Sequence, residues 1–109
     1  MLRKADWPFA LAQFDHAVEL GGDARGVAVA LNDMGASLAS RGRGQEAEAL
    51  LRKATTFDPS LVQARRNLVL TLLDSGRVVE ARDSLKEAIR ATGAVPAYQD
   101  LALQLGAGH

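Results

Sequence analysis

Apolar positions recur along this chain at the three-to-four-residue spacing of helices, and glycine or proline falls between the runs. The spacing predicts a first helix over residues 8–20, with Pro8 in the first turn, where its missing N–H costs little. Gly21 and Gly22 end it. A second helix runs from Asp23 or Ala24 to about residue 40 and places Leu31, Met34 and Leu38 on one face. "RGRG" at 41–44 reverses the chain, a third helix covers about 45–57, and Asp58-Pro59 breaks it. Ser60 is the expected N-cap of a fourth helix, which carries Leu61, Leu68 and Leu72 and stops before Gly76. A fifth spans about 78–91 and ends at Thr92-Gly93. Pro96 opens a short last helix to about residue 105, after which "GAGH" is expected to fray. No segment sustains the period-two alternation of strands. The expected fold class is all-α.

Two of these segments repeat each other. "GRGQEAEALLRKA" begins at Gly42 and "GRVVEARDSLKEA" at Gly76, so Gly, Arg, Glu, Ala, Leu and Ala recur 34 positions apart. The repetition has a packing reason. Small residues at Gly35, Ala47, Ala54, Ala81 and Ala88 let helix axes approach, while Leu38, Leu51, Leu72 and Leu85 fill the space beside them. Gly42 and Gly76 stand where a backbone reversal would strain a side chain.

A 34-residue unit of two antiparallel helices resembles the tetratricopeptide repeat. Leu31, Met34, Gly35, Leu38, Gly42, Ala47, Leu51, Ala54 and Pro59 fill one whole unit of that pattern. The next unit supplies Leu68, Leu72, Gly76, Ala81, Leu85 and Ala88, and departs at Arg65, Val69 and Gly93, where the pattern prefers a large apolar residue, Gly and Pro. Trp7, Ala10, Phe14 and Ala17 align with the second half of a unit at an offset of 37. The resemblance implies a right-handed α-α superhelix: a half repeat at 6–23, repeats at 26–59 and 60–93, and a capping helix at 95–105.

Composition narrows function mainly by exclusion. Lys plus Arg (13) equals Asp plus Glu (13), so the basic excess that neutralises nucleic-acid phosphates is missing, and nucleic acid is not an expected partner. With no cysteine there is no disulfide, thiol nucleophile or Cys-ligated metal, and the compartment stays open with the cytoplasm slightly favoured. No apolar run approaches the roughly 20 residues of a membrane span, and the start of the chain lacks an unbroken secretory stretch, so a soluble chain is expected. His16 has only Glu19 on nearly the same face and reads as a solvated residue, and His109 sits at the terminus. "GGDARG" offers free N–H groups to an anion but lacks a following Lys-Ser/Thr, and reads as a lengthened turn. Arg41, Arg43, Arg52 and Lys53 interleave with Glu46 and Glu48, and Glu48 is spaced to pair with Arg52. Nothing points to catalysis, a metal or a cofactor.

The resemblance places function on the concave side, lined by the first helix of each pair. Its groove positions fall at Val29, Asn32, Ala36 and Ala39, then Gln63, Arg66, Leu70 and Leu73, flanked by Asp33 and Asn67. The polar members suit a peptide backbone or carboxylate. A carboxylate clamp of the kind some family members build would also need lysines, and neither groove helix has one. Leu70 and Leu73 exceed the core stripe of their helix; either a partner or the last helix covers them. At the other end, Trp7, Phe9 and Leu11 exceed what one flank buries and suggest a second contact surface. The expected partner is protein: a peptide or helix held in the groove or at the open N-terminal end. The alternative is a structural subunit that self-assembles or belongs to a larger complex, and a piece of a longer array is also compatible.

Overall fold

The computed structural model describes residues 23–105. The predicted helix over 8–20, with Trp7, Phe9, Leu11 and His16, lies outside the described residues, as do Gly21, Gly22 and His109. Within them stand α1 (Ala24–Ser40), α2 (Gly44–Phe57), α3 (Val62–Asp74), α4 (Val78–Thr92), a 3-10 turn (Pro96–Tyr98) and α5 (Gln99–Leu105). There is no strand among the described residues. This is an all-α helical repeat.

Local chemistry sets the boundaries. Asp23 caps α1, its carboxylate accepting from the Arg25 N–H at 3.1 Å. The turns after α1 and α3 are copies. Gly42 and Gly76 adopt φ of 77° and 76°, a left-handed conformation that a β-carbon disfavours. The N–H groups of Arg43 and Arg77 reach back to Leu38 and Leu72, and those of Gly42 and Gly76 to Ala39 and Leu73. This double bond satisfies the last carbonyls of each helix.

Ser60 does not cap α3. Leu61 holds that position, and Ser60 instead gives both its N–H and its hydroxyl to Asp58 Oδ1, at 3.1 and 2.7 Å. The Asp58 side chain organises the turn before α3, and Leu61 is free to enter the core.

One apolar core runs through the layers. It takes Leu31 and Leu38 from α1, Leu50 and Leu51 from α2, Leu68 and Leu72 from α3 and Leu85 from α4. Ala47, Ala54, Ala81 and Ala88 are fully buried between them. Small does meet large: a β-carbon on Gly35 would lie 2.8 Å from Leu51 Cγ. The short end segment is anchored by buried Tyr98, Leu101 and Leu105. Thr92 gives its hydroxyl hydrogen to the Ala88 carbonyl, so the Tyr98 hydroxyl donates to Thr92 Oγ1 at 3.0 Å.

Candidate functional site

The first helices of the two pairs lie side by side in register. Asn67 Nδ2 on α3 donates to Asn32 Oδ1 on α1 at 2.9 Å. Further along, Ala36, Ala39 and Ser40 face Asn67, Leu70, Thr71 and Asp74 across a cleft of about 180 Å³. A second hollow of about 120 Å³ continues it past Ala39 and Asp74 to the turn at Gly42 and Gly44. The α1 side is small because Ala36 and Ala39 are small. On the α3 side, Thr71 turns its hydroxyl to the Asn67 carbonyl at 2.8 Å.

The expected groove residues divide in this geometry. Ala36, Ala39, Asn67 and Leu70 line the cleft. Val29, Asp33 and Gln63 are exposed, and Leu70 and Leu73 are each half-buried against the core. Asn32 is only 3% exposed, and its carbonyl oxygen is taken by Asn67. It acts by fixing Asn67 rather than by reaching a ligand. Arg66 also departs from expectation. Its guanidinium holds Asp100 with two parallel bonds of 2.8 and 3.0 Å and donates to the Ala97 carbonyl as well. Those bonds raise the pKa of Arg66 and lower that of Asp100. An arginine expected to face a partner is a strut between α3 and the end segment. Trp7, Phe9 and Leu11 lie outside the described residues.

Ser40, Thr71 and Asp74 were not foreseen as cleft residues. The signal was present, because Ser40 and Asp74 share the 34-residue offset that relates Ala36 to Leu70. Ser40 and Asp74 follow directly on Ala39 and Leu73, the last positions carried over from the family pattern, and Thr71 follows Leu70.

An ion network ties the second helices together elsewhere. Glu48 accepts from Arg52 at 2.9 Å, as its spacing predicts, and also from Arg77, which in turn holds Glu80. Burial alone would raise the Glu48 pKa, but the bonds from Arg52 and Arg77 outweigh it and lower the value. Among the described residues no group of His, Asp and Glu could hold a metal ion, and no helix is long and apolar enough to cross a membrane.

Paired helices, repeated turns and a groove between first helices define a class of protein-interaction repeat. The tetratricopeptide-repeat family profile matches residues 38–105, more than half of the chain, and this protein belongs to that family. A peroxisomal targeting signal receptor of Kluyveromyces lactis is 41% identical over 58 residues. The match takes in 53% of this chain but 10% of the receptor, so the chain spans about a tenth of that relative's length. No solved structure matches.

Proposed function

We propose that this protein is a non-catalytic interaction module that receives a peptide or helix of a partner protein in the cleft between α1 and α3. The observation that carries the reading is the cleft's makeup. Two alanines and a half-buried leucine offer apolar contact beside Asn67 and Ser40, on helices held in register by the Asn32–Asn67 bond. Apolar surface with a few placed polar groups is how binding sites combine affinity with orientation. The name of the similar receptor describes a protein that receives a targeting signal. By analogy, capture of a short segment is the reading adopted for this chain.

Leu70 is the residue on which to test it. Peptides selected from a random displayed library on the wild-type protein are expected to lose binding to Leu70→Asp by about tenfold or more, and to keep it on Arg90→Glu, at an exposed site on α4. Circular dichroism of both variants should match wild type. Selected peptides that bind Leu70→Asp as well as wild type, or a library that yields no binders, would overturn the reading.

A further inference from the structure

The charges along the cleft suggest which segment it takes. The surface stripe of α1 runs Val29, Asp33, Ala36, Ser40, and that of α3 runs Gln63, Asn67, Leu70, Asp74, each 34 positions on from its counterpart. Asp74 lines the cleft and is exposed. Asp33 is exposed on the matching stripe of α1, one turn before Ala36. Among the described residues no cation stands within ion-pair distance of either carboxylate.

The arginines of α3 are turned to other work. Arg66 is held by Asp100 and the Ala97 carbonyl, and Arg65 donates to the Pro59 carbonyl at 3.1 Å. At the turn beyond Ser40, Arg43 faces Glu46 at 3.8 Å and Arg41 is exposed. The stripes themselves therefore carry two carboxylates and no cation.

Their spacing adds a length. Ser40, the register partner of Asp74, is seven residues beyond Asp33, which is about 10 Å along a helix axis. Along the stripes Ala36 and Leu70 lie between the two carboxylates, and Asn67 stands at the level of Asp33, its counterpart in the register. Of the hydrogen-bonding capacity of Asn67, one Nδ2 hydrogen is used by Asn32; no other described residue engages its side chain.

Building on the groove reading above, we propose that the cleft selects a cationic segment: a partner peptide with Lys or Arg at two places about 10 Å apart and an apolar side chain between them. The two cations meet Asp33 and Asp74, and the apolar side chain enters beside Ala36 and Leu70. The asparagine amide is left for the peptide's own backbone. An acidic segment is disfavoured, since it would face two carboxylates while the guanidinium of Arg66 is already occupied. Complementary charge of this kind sets partner choice and association rate more than raw affinity.

The test uses a random displayed peptide library, selected in parallel on wild-type protein, on Asp33→Asn/Asp74→Asn and on Leu70→Asp. Wild-type binders that depend on Leu70 should be enriched in Lys and Arg over the unselected library, and the double asparagine variant should lose that enrichment. Individual binders should weaken at least about threefold on the double variant, and by a similar factor between 50 and 300 mM salt, the scale of exposed charge pairs. Leu70-dependent binders with no basic bias, or with an acidic one, would overturn the charge inference and leave the groove reading standing. Binders indifferent to Leu70, or no binders at all, would overturn both. The asparagine substitutions keep side-chain shape at exposed positions, and circular dichroism confirms the fold.

Discussion

Single residues decide how closely the helices of a pair approach. At Gly35 the missing side chain is what lets α1 settle onto α2, because a β-carbon there would sit 2.8 Å from Leu51 Cγ and 3.4 Å from the Ala47 carbonyl. The equivalent position of the second pair is Val69, which is fully buried. The family pattern prefers glycine at both places, yet only the first pair uses it. Gly35→Val is therefore expected to overpack the α1–α2 seam and cost about 1–3 kcal/mol, measured by urea denaturation. Unchanged stability would mean that Leu51 moves aside without loss. The groove residues behave as individuals in the same way. Asn32 and Asn67 are adjacent in register and similar in chemistry, but one is buried and the other lines the cleft. The family pattern makes Asn32 a groove position and Asn67 a residue at its flank. Which of them remains accessible depends on how closely α3 lies against α1.

Between elements, the joint that matters most to the groove is the one at its end. The end segment is short, and its hold on α3 combines buried Tyr98, Leu101 and Leu105 with the Arg66–Asp100 pair. Arg66→Glu would place two like charges where a bidentate pair stood. Its expected effect is faster amide hydrogen exchange over residues 96–105, with helical content nearly unchanged and less than about 1 kcal/mol lost overall, because the pair is exposed. Unaltered exchange in that segment would show that the apolar anchors suffice. The same contact explains why a charge reversal at Arg66 makes a poor test of partner binding: it disturbs the joint and the groove together. Among the described residues, the succession of helices, the glycine turns and the pairing of small with large residues were legible in the sequence, because each is enforced locally or repeats after 34 residues. The struts were not. Arg66 and Asp100 stand 34 positions apart, so the repeat sets them at matching places, but neither that offset nor the 29 between Glu48 and Arg77 encodes the rotation on which the meeting of the side chains depends. Glu48–Arg52 was legible because it spans a single helical turn.

At the scale of the whole molecule, stability is a sum of neighbouring layers, so what fastens one layer to the next sets how the array responds to solution conditions. Carboxylates with lowered pKa stand both at such joints and in the local turns beside them. Asp58 is lowered mainly by the Ser60 hydroxyl, Asp100 by Arg66 and Glu80 by Arg77. Glu48 is lowered by Arg52 and Arg77 against the opposing effect of its burial. In the unfolded chain these groups take up protons near their ordinary values of 4.5 for Glu and 3.8 for Asp, whereas in the folded protein they stay ionised to lower pH. Below about pH 5 the unfolded state thus binds more protons than the native state, and stability falls as the pH falls. The contribution is fully present above that range and is lost once the folded-state values are passed. Urea denaturation from pH 7 down to pH 3 should accordingly show a plateau above about pH 5 and a progressive decline beneath it, smaller in 0.5 M salt because most of these pairs face solvent. Glu48 is the informative position, since it joins Arg52 of its own helix to Arg77 of the next pair. Glu48→Gln should lower stability at pH 7 and make the acid decline shallower, because the variant no longer has that proton to take up. A variant with the wild-type slope would remove Glu48 from the set of groups that couple the layers to pH.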